Sequence, residues 1–272
     1  MRSSLLIIVI VTGFIFSACS QRTLIRPGDT LEVAYEKALS LYDRGRYSDA
    51  ANAFETVVSI GRGTDIGQDA QFMAADSYFK SRQYILSAAE FQRYSVFNPR
   101  STRRETADFM EAYSYYMLSP RYNLDQSDTY RSIEAFQLFL SRYPNSDKAS
   151  EAVGYIEEMR LKLSFKSFRA AEQFYRLRHY NAAAIYYGLT LEQFPETEWA
   201  EKALVNQIKA YTTFADNSVR DRQAERYQKA IDAYEMYLQL FPRGQNRELA
   251  EQYYDAASSG FARSSSSQGN ES

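Results

Sequence analysis

Ala171-Glu172-Gln173-Phe174-Tyr175-Arg176-Leu177-Arg178-His179-Tyr180-Asn181-Ala182-Ala183 carries a complete joint between two helices. Ala171 and Phe174 are a small and a large residue three apart on the first helix, and Tyr180, Ala183, Tyr187 and Thr190 repeat at helical spacing on the second until Pro195 stops it. A small side chain lets two helix axes approach, the aromatic one turn on fills the joint, and proline removes the amide that the next turn would need. Working outward, the same spacing returns four times. It is present in Tyr47, Ala50, Phe54 and Val57, and in Tyr84, Ser87, Phe91, Tyr94 and Pro99. It recurs in Ser132, Phe136, Phe139 and Pro144, and in Tyr227, Ala230, Tyr234, Tyr237 and Pro242. From Thr30 onward the apolar period is helical, and no stretch alternates long enough to make a strand.

These offsets resemble the second helix of the tetratricopeptide pattern. First helices precede them: Ala34, Ala38 and Leu41 before Tyr47; Ala74, Ala75 and Tyr78 before Tyr84; Ala112 and Tyr115 before an insertion at Ser119 to Asp128. A long run from Asp147 to Arg178 serves the fourth unit, and Ala210 marks the first helix of the fifth, which is followed by a second insertion around Asp216 to Asp221. Prolines 99, 144, 195 and 242 stand 45, 51 and 47 residues apart, so the period reads as stretched from 34. A generic helical bundle is the competing account, but it does not explain five copies of one spacing. The expected fold is all-α: a right-handed tetratricopeptide-repeat superhelix, an α-solenoid of about five degenerate repeats over residues 30–257. Residues 258–272 form a Ser-rich tail expected to be disordered.

The first residues read as a processing signal. Arg2 precedes a twelve-residue run from Leu5 to Phe16, too short for a permanent bilayer span of roughly 20 residues. Phe16-Ser17-Ala18-Cys19 resembles the lipobox of bacterial lipoproteins, which implies a signal peptide over residues 1–18, lipid on Cys19 and a tethered leader over residues 19–29. The chain holds a single cysteine, which excludes an intramolecular disulfide or a CxxC site.

Composition limits the chemistry further. The 272 residues are 45% hydrophobic with 32 basic against 34 acidic side chains, and a net charge of -2 supplies no field for nucleic acid. With 23 Tyr and 17 Phe the chain is rich in side chains suited to helix joints and groove linings. His179 is the lone histidine, so no histidine-based triad or HExxH site exists. Gly61 to Gly67 lacks a preceding strand and a phosphate-binding lysine, and reads as a loop between repeats. Two carboxylates alone can hydrolyse glycosides, but no compact catalytic domain is left once the repeats are assigned. A non-enzymatic protein is expected, with no cofactor, no metal and no small-molecule substrate.

The lipobox and five degenerate repeats together resemble the BamD family of outer-membrane β-barrel assembly lipoproteins. The resemblance rests on Arg142-Tyr143-Pro144-Asn145-Ser146, on the Ala171 to Ala183 segment, and on Asp125-Gln126-Ser127-Asp128 ahead of Ala135, Phe136 and Phe139. It covers roughly Thr30 to Ala257. Two features depart from the family: His179 where Gly is usual in the turn, and few alanines in the first helix of the fifth repeat. The resemblance implies a scaffold on the outer membrane, lipid-anchored and facing the periplasm. Its implied partners are the barrel insertase, held by the later repeats, other assembly lipoproteins, and unfolded barrel proteins engaged by the earlier repeats. A lipid-anchored adaptor in wall remodelling or polysaccharide export is the alternative.

Two sets of contact residues are legible in the chain itself. Tyr35 and Tyr42, Phe72 and Phe79, and Phe109 and Tyr116 repeat an i, i+7 aromatic pair on the groove-facing offsets of three first helices. Such a ladder suits an extended apolar peptide, and equally suits packing. Lys162, Lys166, Arg169 and Arg176 share one side of the long fourth-repeat run, a solvated face or a docking stripe for an acidic partner.

Overall fold

A computed structural model describes residues 25–268. The signal segment, Cys19 and the leader up to residue 24 lie outside the described residues, as do residues 269–272. Helices alone make up the regular structure among the described residues, in two compact units, one up to Met117 and one from Leu118.

The first unit holds α1 (Leu31–Asp43), α2 (Tyr47–Ile60), α3 (Asp65–Lys80), α4 (Tyr84–Phe97) and α5 (Arg104–Leu118), whose last residue falls at the boundary. The chain enters through a turn at Pro27-Gly28, where Gly28 has φ 96° and the Asp29 amide donates to the Arg26 carbonyl at 3.1 Å. Ile25 is buried in the apolar cluster formed by α1, α2 and α3, and Asp29 holds Lys37 at 2.6 Å. Thr64 caps α3 by accepting from the Gly67 amide at 3.1 Å. The first turn of that helix is therefore made from the glycine-rich segment, and a Cβ at Gly67 would overlap the Gly61 carbonyl.

Three helix pairs within repeats close in one way. The Gly45 and Arg46 amides bond the Tyr42 and Leu41 carbonyls, both at 2.9 Å; Arg82 and Gln83 bond Phe79 and Tyr78, also at 2.9 Å; Arg178 and His179 bond Tyr175 and Phe174 at 2.9 and 3.0 Å. This is the Schellman closure, and its middle residue is left-handed: φ is 72° at Gly45, 62° at Arg82 and 63° at Arg178. The turn position that favours glycine is thus Arg178, not His179, whose φ of -85° places it as the N-cap of the next helix.

The second unit holds α6 (Ser127–Arg142), α7 (Ala149–Arg176), α8 (Tyr180–Gln193), α9 (Glu198–Asp216), α10 (Arg220–Leu240) and α11 (Arg247–Gln268). Four repeats end as the prolines predict. Asn98, Tyr143, Phe194 and Phe241 cap α4, α6, α8 and α10 with φ between -122° and -136°, and a proline follows each. The joint residues Ala50, Phe54, Phe91, Phe136, Ala183, Tyr187 and Tyr234 are all buried.

Three expectations change. In the first unit the first helices keep a 34-residue period, Tyr35 meeting Asp69 and Tyr42 meeting Asp76, while the second helices follow each other at 37. Longer proline spacing comes from the 119–126 insertion, the 28-residue α7, and the 19- and 21-residue α9 and α10. The second insertion shrinks to a short turn, because α9 runs to Asp216 and α10 begins at Arg220. Residues 258–268, expected in the disordered tail, continue α11. Ala257, Gly260 and Ser264 are buried on that helix, and Gly260 lets it approach the Tyr227 ring so closely that a Cβ would overlap it. Packing of one face outweighs the weak helix propensity of a serine run.

Candidate functional site

Helices α1, α3 and α5 bring the six ladder residues into the first unit, each already committed to a neighbour. The Tyr35 hydroxyl donates to Asp69, which also pairs with Arg103, and the Arg103 guanidinium lies 5.1 Å from the centre of the Phe72 ring. Burial, with the Asp69 hydrogen bond second, pushes the Tyr35 phenol up to about 12, so it stays a donor at any physiological pH. The Tyr42 hydroxyl donates to Asp76, and its ring stands edge-on to Tyr47 at 5.4 Å. Lys80 places its ammonium 5.4 and 5.5 Å from those two rings.

Phe72 packs edge-on against Phe91 and Tyr94, at 5.5 and 5.3 Å. Phe79 reaches Tyr84 at 5.4 Å and Tyr113 at 5.5 Å. Phe109 is buried, and Tyr113 stacks between it and Tyr116 at 6.2 and 5.7 Å. Phe109 therefore belongs to the core. The other five are half-buried. Residues missing from the ladder are Asp69, Arg103 and Lys80, which put charges among the rings. For Asp69 the signal was the 34-residue spacing that pairs it with Tyr35, as it pairs Asp76 with Tyr42. This surface offers aromatic edges beside carboxylates and cations.

In the second unit the basic stripe divides. Lys162 donates to the Ser119 hydroxyl, and Lys166 to the Leu124 carbonyl at 2.5 Å. Burial lowers the Lys162 ammonium from its ordinary value. Both lysines hold the 119–126 insertion on α7, where Tyr122 packs on Phe165 at 4.6 Å. Gln126, buried, donates to the carbonyls of Arg121 and Leu124 at 2.9 and 3.1 Å and so closes that loop on itself. Arg169 pairs with Glu172 at 2.6 Å, and Arg176 bonds Gln173 at 2.6 Å and stays exposed. Spacing put the four on one side of a helix. It did not show that an inserted loop lies across two of them.

Residues 27–226 match the model of the YfiO family, described as outer membrane lipoprotein. The chain is 25% identical over 209 residues to outer membrane protein assembly factor BamD of Rickettsia prowazekii, covering 77% of this chain and 82% of that protein. It is 24% identical over 204 residues to the protein of the same name from Vibrio cholerae, covering 71% and 84%. Among solved structures, the TPR domain of P58(IPK) aligns over 86% of this chain and 66% of that one, with 14% identity and a TM-score of 0.41.

Proposed function

Because the chain belongs to the YfiO family of outer membrane lipoproteins, we propose that it is an outer membrane protein assembly factor: a non-enzymatic scaffold, lipid-anchored through Cys19 and facing the periplasm, that binds the barrel insertase and unfolded barrel proteins. The observation that carries this reading is the family match over residues 27–226, which takes in helices of both units. Relatives named as assembly factors, matched over most of their own length, support it. The half-buried aromatic surface of the first unit is the proposed seat of the unfolded apolar segment. Arg169 and Arg176 in the second unit are the proposed contacts to the folded insertase, with Lys162 and Lys166 acting through the loop they hold.

Crosslinking followed by affinity recovery from native membranes tests the reading. Recovery of a barrel insertase is the expected result; recovery of wall-remodelling or polysaccharide-export proteins without an insertase would replace it with the adaptor alternative. Anchoring is tested by Cys19→Ala, which should release the protein into the soluble periplasmic fraction. A variant that stays wholly with the membrane after a high-salt wash would move the anchor elsewhere.

A further inference from the structure

Helices α2 and α4 are equivalent, thirty-seven residues apart, and their buried sides match position for position: Ala50 with Ser87, Ala51 with Ala88, Phe54 with Phe91, Val57 with Tyr94, all buried. Their outer sides do not match. Where α2 shows water Ser48, Asp49, Asn52, Glu55, Thr56 and Ser59, α4 carries Ile85, Leu86, Ala89, Gln92, Arg93 and Val96. Ile60 and Phe97 end both rows with an apolar residue. Ile85 and Val96 are each 67% exposed and Phe97 70%. One repeat thus keeps an ordinary solvated face while the next replaces it with an apolar one on the same backbone, a contrast that packing inside the unit does not require.

We propose that the outer face of α4 docks an amphipathic helix of a protein partner, one with an apolar stripe bordered by carboxylates. Shape favours a helix. The small Ala89 lies between the bulky Ile85 and Leu86 one turn before it and Gln92 and Arg93 one turn after it, leaving a notch where a second helix can approach closely. A lipid surface has no use for such a notch. Charge sets the border. Exposed Arg82 and Arg100 stand just beyond the two ends of α4, about 20 Å of helix apart. Arg93 lies on the face and pairs with half-buried Glu90 at 2.8 Å. Two further carboxylates lie near the face and are already bonded: Glu111 accepts from Gln92 at 3.0 Å and Glu55 from the Tyr78 hydroxyl at 2.6 Å. The arginines at the ends therefore favour acidic groups on the partner, and apolar residues with arginine are the composition of protein interfaces.

The proposal does not depend on the assembly-factor reading. Its test uses the full-length protein in native membranes with a photoreactive benzoylphenylalanine at Leu86 or at Val96, and at Asn52 or Ser59 of α2 as controls. The expected result is a protein adduct from α4 positions only. Mass spectrometry should map it to a segment with helical apolar spacing and flanking Asp or Glu. Arg82→Gln with Arg100→Gln should cut the adduct at least fivefold, Arg82→Lys with Arg100→Lys should keep it, and an unchanged melting temperature confirms that each variant is folded. Adducts to phospholipid alone, to a second copy of this chain or to a segment without carboxylates would overturn the proposal. So would equal yield from α2, a yield indifferent to the arginines, or no adduct. Insertase recovery from the same membranes is scored separately, so the two ideas can fail independently.

Discussion

Gly45, Arg82 and Arg178 occupy one position in three turns, and the first alone is glycine. A side chain at φ near 70° crowds its own backbone, at roughly 1–2 kcal/mol. No atom lies within 4 Å of a Cβ built at Gly45, so its replacement isolates that backbone cost. Gly45→Ala should lower stability by about 1 kcal/mol in urea denaturation, whereas Arg82→Gly should leave it equal or higher. The Tyr35 phenol supplies a second residue-level prediction. Its pKa is raised in the folded protein, so its contribution is complete below pH 10 and is lost as pH rises from 10 through about 12. Thermal unfolding followed from pH 8 upward should show that loss, and Tyr35→Phe should make the decline shallower. Small and aromatic joint residues were legible because their identity alone fixes what they do. The charges among the rings were not, since Asp69 and Arg103 gain their meaning from partners far along the chain.

Helix α7 shows how one element can carry both a joint and a clasp. Its N-terminal half stacks Tyr155 on fully buried Phe136 at 5.4 Å. Phe136→Ala should therefore cost roughly 3–5 kcal/mol, read as a shift in the denaturation midpoint; a loss well under 1 kcal/mol would break the repeat register. Midway along, Lys162 and Lys166 hold the 119–126 insertion. Lys162→Ala with Lys166→Ala should speed amide exchange and proteolytic cutting in that loop at least tenfold while leaving the melting of the helices nearly unchanged. The helix and its length were readable from apolar spacing over Asp147 to Arg178, because periodicity reports which side faces a core. It is silent about which loop returns to the other side. Composition misled at α11 for a related reason: a serine run scores as disordered until a glycine and an alanine bring it against Tyr227 and its neighbours.

At the level of the whole molecule, the aromatic surface and the arginines predict two kinds of affinity. Apolar contact survives salt, whereas exposed charge is screened at about 8 Å near 0.15 M. Phe72→Leu with Phe79→Leu, which keeps apolar volume against Phe91 and Tyr84, should weaken a barrel-protein C-terminal peptide about tenfold at low and high salt alike. Arg169→Glu with Arg176→Glu should weaken the insertase mainly at low salt and leave the peptide unaffected. Titration of each partner against each folded variant decides, and equal loss of both partners from both variants would mean that the two units do not divide the work. The entry of the chain has a mechanical consequence. Tension on the chain ahead of Ile25 meets an apolar plug and the Asp29–Lys37 pair before it reaches α1, and α1 is riveted to α3 at Tyr35–Asp69 and Tyr42–Asp76. Those two bonds tie the first helices of successive repeats together, so a tug on that end is shared by two repeats.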